Sequence, residues 1–292
     1  MRAALLPERT AIRIVGADAR HFLQGLLTVD VESLAPGAAR FAALLTPQGK
    51  ILFDFIVVAV AEDEGGGFVI DAPRALADAL AERLGFYKLR AKVEIGRRPD
   101  LAIAVVFDGV ASEELGLVYG DPRHPGLGAR ILLPAEGAEA ALRQAGFALA
   151  DAEAWQTRRI ALGVPEGGKD FTYGDTFPHE ADMDQLGGVD FDKGCFVGQE
   201  VVSRMQHRGL ARTRVVPIAY ADASPLPGVE VKIGERAAGF LGSTARGRGL
   251  AKVRLDRIEE GLAANERLSA GNVPIRLVKP DWAKFPFPGE AR

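Results

Sequence analysis

Between residues 10 and 162 the chain passes twice through strand-like and helix-like segments that would suit the order strand, helix, strand, strand, helix, strand. That order constrains the fold more than any other feature, because each amphipathic helix has to cover the face of a sheet. In the first round, 10–15 reads as a strand and 18–27 as a helix with Phe22, Leu23, Leu26 and Leu27 along one side. Strands at 41–45 and 51–60 flank Thr46-Pro47-Gln48-Gly49-Lys50, whose proline and glycine mark a hairpin. Gly65-Gly66-Gly67 then precedes a strand at 68–71, a helix opened by Pro73 and running to about residue 84, and a strand at 93–95. In the second round, 101–107, 115–119 and 129–133 read as strands, and 135–145 and 152–162 as helices. The pattern predicts two α+β sandwich units with antiparallel sheets. No sequence repeat accompanies it.

The grammar then changes twice. Residues 163–194 are rich in glycine, acids and loop formers, with Gly-Gly pairs at 167–168 and 187–188. A loop stretch of that length inside a compact chain is usually either functional or disordered. After Arg214 come short β-like runs at 215–220, 229–233, 237–242 and 250–255, punctuated by proline and glycine as in a small β-barrel. We therefore expect an α+β core over 1–212 and a β-barrel domain over 213–292. With 48% hydrophobic and 26% charged residues, the composition is that of a soluble globular protein. A net charge of −3 supplies no electrostatic case for direct nucleic-acid binding. The apolar run at 51–61 is too short to span a membrane and Asp54 interrupts it. Before Pro7 and Glu8 there is no apolar stretch of the kind a secretory signal needs. One cysteine cannot form an internal disulfide, so a cytoplasmic location is expected.

That cysteine, Cys195, lies in Lys193-Gly194-Cys195-Phe196-Val197-Gly198-Gln199-Glu200. It follows a flexible glycine and precedes a stretch whose apolar positions 201, 202 and 205 suit a helix, where unpaired N–H groups favour a thiolate. The opposite reading is a packed core thiol, since free cysteine is among the most buried residue types. Gly163 to Lys169 matches a phosphate-loop frame, but Asp170 replaces the hydroxyl that such a loop needs. The four histidines lack metal-ligand spacing. The loop Pro178-His179-Glu180-Ala181-Asp182-Met183-Asp184 carries three carboxylates, either simply solvated or able to accept a ligand's N–H donors. Arg204, His207, Arg208, Arg212 and Arg214 form a basic run, a solvated face or a partner for an anionic tail.

These residues resemble one family. Phe22-Leu23-Gln24-Gly25-Leu26-Leu27-Thr28-Val29-Asp30, the hairpin at 46–50, Tyr87-Lys88-Leu89-Arg90, the run at 163–170, and above all Lys193 to Glu200 with Gln206-His207-Arg208-Gly209 are similar to the YgfZ-type folate-binding proteins. These stand close to the mitochondrial-type iron–sulfur assembly factors and are relatives of the glycine-cleavage T-protein, an aminomethyltransferase. The resemblance implies two ferredoxin-like units around a central folate site, closed by a C-terminal β-barrel. It implies tetrahydrofolate as ligand, iron–sulfur client or assembly proteins as partners, and a role in making or maintaining [4Fe–4S] proteins, tRNA-modifying radical enzymes included. By the same resemblance Glu180 takes the place of the carboxylate that grips the pterin, and Cys195 is the signature thiol. Lys193, Gln199 and Glu200 are its motif companions, and Arg212 and Arg214 stand where a basic residue meets the folate tail. The alternative is a folate-dependent aminomethyltransferase. T-proteins lack the cysteine motif, and Asp78, near the position of their catalytic acid, reads as an ordinary helix-surface residue.

Overall fold

The computed structural model describes residues 1–209, 211–221 and 223–289. The chain divides into two compact units: one formed by Met1–Pro47, Leu52–Trp155 and Gly187–Gln199, the other by Gln48–Ile51, Gln156–Leu186 and Glu200–Arg292.

In the first unit, β1 (Arg2–Leu5) is followed by β2 (Arg9–Val15), α1 (Ala19–Gln24), β3 (Ala39–Leu45), β4 (Ile51–Ala59), β5 (Phe68–Pro73), α2 (Ala77–Lys88) and β6 (Glu94–Arg98). Among the described residues one sheet has the order β3-β4-β5-β2-β6, and β2 pairs antiparallel with both β5 and β6. Setting aside the edge strand β3, this is the ferredoxin-like order. The two helices cover one face through Phe22, Leu23, Ala77, Leu80 and Leu84; of the leucines that recur at four-residue spacing in the second predicted helix, Leu80 and Leu84 are buried and Leu76 only partly so. Pro73 closes β5, and a short 3-10 turn (Arg74–Leu76) separates it from α2.

The second sheet uses β7 (Leu101–Asp108), β8 (Leu117–Gly120), β9 (Ala129–Pro134), α3 (Ala138–Gln144) and β10 (Ala148–Leu149). Its order, β10-β1-β7-β9-β8, shows the ferredoxin-like arrangement with a guest. The chain's first strand enters between β7 and β10, antiparallel to β7 and parallel to β10. Where the repeated grammar predicts a helix after β7, there is only a 3-10 turn (Glu113–Leu115).

The second unit takes in α4 (Ala152–Ala161) from Gln156 onward, the loops to Leu186, and α5 (Gln199–Arg208) from Glu200 onward. It then builds β11 (Thr213–Ala219), β12 (Glu230–Ile233), β13 (Arg236–Ala245), β14 (Arg248–Arg254), α6 (Leu255–Ala263), β15 (Leu268–Ala270), β16 (Val273–Pro274) and β17 (Arg276–Leu277). These strands form a nearly closed seven-stranded barrel among the described residues, in the order β16-β15-β12-β13-β14-β11-β17. Its interior is apolar, with Val216, Ile218, Val231, Val253, Ile258 and Phe285. The strand expected at 250–255 stops at Arg254. From Leu255 the chain is helical, because Leu255, Ile258 and Gly261 recur at helical spacing and pack inward.

Candidate functional site

Cys195 is exposed, on a loop whose neighbouring side chains point inward. Lys193 is buried, and its ammonium donates to the carbonyl oxygens of Gln24 at 2.7 Å, Leu27 at 2.7 Å and Val29 at 2.9 Å. An ammonium has three donors, and all three are engaged on the turn that ends α1. Burial lowers the Lys193 pKa to about 8, against the raising pull of Asp30 and Asp190. Phe196, two residues beyond the glycine, is buried, and Val197 packs against the core of the first sheet. Gln199 closes the loop: its Oε1 accepts from Phe196 N–H at 3.4 Å and its own N–H donates to the Phe196 carbonyl at 3.2 Å. The amphipathic stretch after the cysteine is the helix its spacing predicts, with Val202 fully buried. On its exposed side Glu200 pairs with Arg204, 2.6 Å away and one helical turn on.

Glu180, Arg212 and Arg214 belong to the second unit. The Glu180 Oε2 accepts from Phe177 N–H at 3.0 Å and lies 3.4 Å from the Lys252 ammonium. Together with Met205, Ala211, Arg212, Thr213 and Arg254, Glu180 lines a cavity of about 220 Å³. A second cavity of about 510 Å³ shares Thr213 and Arg254 with it. Arg212 is largely exposed, 4.0 Å from Asp256. Arg214 is instead drawn inward. Its guanidinium donates to the His179 carbonyl at 2.8 Å, to Asp182 Oδ1 at 3.1 Å, and to both Asp184 oxygens at 2.8 and 3.0 Å, and lies over the Phe285 ring. The structure therefore joins Glu180 to Arg212 at one cavity and commits Arg214 to an internal network. The His179 Nε2 lies 3.0 Å from Gln206 Oε1 on α5. Asp78 stands exposed on α2 with both oxygens on Arg97, at 2.7 and 2.9 Å.

The phosphate-loop frame resolves into structure of another kind. Asp170 is buried against Arg159, whose Nη1 donates to it at 2.7 Å, and it accepts the N–H groups of Glu166 at 2.9 Å and Ser243 at 2.7 Å. Gly242 has to be glycine for this contact, since a Cβ there would stand 2.5 Å from the Asp170 carboxylate. Charged residues that sequence reasoning passed over form a further network between the two sheets of the first unit. Asp71 accepts from Arg9 at 2.7 Å, from Tyr119 at 3.0 Å and from Arg130. Asp121 accepts from Arg123 at 2.9 and 2.7 Å and from Arg130 at 3.1 and 2.9 Å. Local sequence holds no signal for this, because its members come from four strands and the loop after β8.

Comparison with known proteins follows this architecture. Residues 8–95 match the family model described as the GCVT N-terminal domain, and residues 212–285 match the CAF17 C-terminal beta-barrel domain. The human protein named iron-sulfur cluster assembly factor IBA57, mitochondrial, is 32% identical over 95% of this chain and 84% of its own length. The mouse protein of that name is 31% identical over the same shares. A homologue from Coccidioides immitis is 31% identical over 76% of this chain, which spans 58% of that longer protein. Among solved structures, the glycine cleavage system aminomethyltransferase T from Bartonella henselae superposes with a TM-score of 0.75 at 18% identity, over 98% of this chain and 87% of its own. At that identity the likeness speaks for the fold. The relatives also correct one expectation. They are named as mitochondrial proteins, which overturns the cytoplasmic location drawn from the cysteine count. The physical reason is that a lone thiol argues only against an oxidising compartment and does not separate one reducing compartment from another.

Proposed function

Because the chain belongs to the IBA57 family of iron–sulfur cluster assembly factors, within the aminomethyltransferase superfamily, we propose that it assists the assembly or maintenance of [4Fe–4S] proteins through the Cys195 thiol, tRNA-modifying radical enzymes among them. One observation carries this reading: an exposed thiol on a loop pinned on both sides, by the Lys193 ammonium and by the buried Phe196 ring. A mobile thiol would lose conformational freedom on meeting a metal or a partner; a pinned one has already lost it. The cluster is cargo. Clusters of this kind are held by several cysteine thiolates, and a chain with one cysteine supplies one ligand, leaving the rest to its partner. The test is complementation of cells lacking the protein. Cys195→Ala is expected to drop [4Fe–4S] enzyme activity to the level of the deletion while the protein stays folded and abundant. Full activity in that variant would sink the thiol's role.

Tetrahydrofolate is the ligand that goes with this reading. The support is chemical: the half-buried Glu180 carboxylate suits pterin N–H donors, and Arg212 and Arg254 on the same cavity suit the carboxylates of a glutamate tail. Arg212 is the freer of the two, since Arg254 is held by Asp256 at 2.6 Å. Calorimetric titration with tetrahydrofolate should show binding that Glu180→Ala weakens by about tenfold or more, the cost of one charge-assisted hydrogen bond. No binding by the unaltered protein would remove folate from the proposal and leave the thiol untouched.

A further inference from the structure

We infer that the end of α2 and the loop behind it form a docking surface for an acidic protein that inserts an apolar side chain and brings the cluster to Cys195. What the partner carries rests on the thiol reading above; where it binds rests on the first unit alone.

Phe86 and Leu89 are 74% and 89% exposed, one helical turn apart. Single exposed apolar residues are ordinary, but two adjacent large ones form a patch. Leu89 also ends the helix at φ +43°, a left-handed conformation that glycine adopts freely and leucine only under strain. A leucine kept at such a cost, with its side chain in water, points to a use for that side chain. The same segment lends Tyr87 and Ala91 to a cleft of about 470 Å³ whose other walls include Phe22 and Leu26. Charge sets the partner's sign. From residue 83 to 93 the chain carries Arg83, Lys88, Arg90 and Lys92 and no acid, in a protein whose net charge is −3. Among the described residues none of these four forms an ion pair, and Arg83, Arg90 and Lys92 are exposed.

The segment that carries the patch is linked to the cysteine loop through α1. The Asp18 carboxylate accepts Lys92 N–H at 2.7 Å, and Gly16 allows the Lys92 carbonyl to approach where a Cβ would stand 2.1 Å from it. These contacts tie the loop to the start of α1. The far end of α1 holds the Lys193 ammonium, two residues from the thiol. The helix between the two anchors has six residues, about 9 Å at 1.5 Å per residue. A partner seated on Phe86 and Leu89 therefore lies one short helix from the loop that presents Cys195.

Other occupants fit less well. A second copy would set four cations against four across a symmetric contact. Among these cations Phe86 is the one exposed ring, with Tyr87 half-buried, a poor platform for stacked bases. The cleft walled by Phe22, Leu26, Tyr87 and Ala91 suits an inserted side chain, which a bilayer does not present.

The test places p-benzoylphenylalanine at position 86 of the full chain in cells, identifies the photo-adduct by mass spectrometry, and purifies the captured protein as the probe. The expected adduct is an acidic iron–sulfur protein. Its affinity should fall about tenfold or more in Leu89→Gly, which removes the anchor while relieving the strain, and in the Lys88→Glu/Arg90→Glu double variant. Added salt should weaken it too. Val110→Asp, at a similarly exposed apolar site in the loop after β7, should bind as the unaltered chain does. An adduct with a second copy, no adduct, unchanged affinity in both variants, or binding of poly(U) RNA or phosphatidylglycerol vesicles lost in the same variants overturns the inference. The two readings fail separately. Loss of docking in Leu89→Gly with full [4Fe–4S] activity in Cys195→Ala sinks only the thiol, and the reverse pair of results sinks only the docking surface.

Discussion

Two buried ion clusters, one in each unit, are built on opposite balances. Between the sheets of the first unit, Arg9, Arg123 and Arg130 surround Asp71 and Asp121, and every carboxylate oxygen there has at least one donor. Burial alone would raise both carboxyl pKa values. The adjacent guanidiniums outweigh it, holding Asp71 below and Asp121 far below the usual range. In the second unit one guanidinium, Arg214, serves two carboxylates, Asp182 and Asp184. There burial and the neighbouring Asp184 win, and the Asp182 carboxyl is pushed well above its ordinary pKa. Among the described residues its Oδ2 has no hydrogen-bond partner, and its backbone sits at φ +58°. The contrast shows what buried charge does in each place. A surplus of cations holds carboxylates as anions and joins two sheets; a surplus of acids makes one of them harder to ionise, in a strained turn beside Glu180.

The contrast can be broken most strongly at Arg130. Arg130→Met removes the one guanidinium that Asp71 and Asp121 share, leaving each buried carboxylate with a single cation, and chemical denaturation should show a loss of about 3–5 kcal/mol. An unchanged unfolding free energy would mean the cluster is ornamental. Next in size is an acid effect at the third network, where Arg159 and Lys169 hold the Glu166 pKa down to about 2 against burial. A depressed carboxyl contributes stability that is full above its unfolded pKa of 4.5 and is lost as pH falls through the folded value. Unfolding measured between those values should therefore lose stability in the unaltered protein and change less in Glu166→Gln. The smallest effect is expected at Asp182. If burial keeps it protonated, Asp182→Asn is nearly isosteric and should shift stability by less than about 1 kcal/mol at neutral pH. The sign of its pH dependence is opposite to that of Glu166. With the folded pKa raised, its contribution is full below the ordinary carboxylate range and is lost as pH rises through the raised value. The gain from Asp182→Asn should accordingly grow with pH, and a constant difference would show that Asp182 is ionised throughout.

By itself the sequence determined the order of elements from β2 to β6, the covering face of α1, the helix after Cys195 and the β-rich end of the chain, because side-chain periodicity is a local record of which positions face inward. The residues of the Lys193 to Glu200 run were also enough to indicate the family. Tertiary structure alone decided the rest. Nothing in Arg2–Leu5 announces that it enters a sheet between β7 and β10, since the free edges it fills belong to strands about a hundred residues or more away. The same holds for charge. Lys193, by resemblance a companion of the thiol, and Arg214, in a run read as a solvated face or a partner for an anionic tail, both turn inward, one onto three carbonyls and the other onto two carboxylates. A cation's partner is fixed by long-range packing, and a local sequence pattern records only that the cation is there.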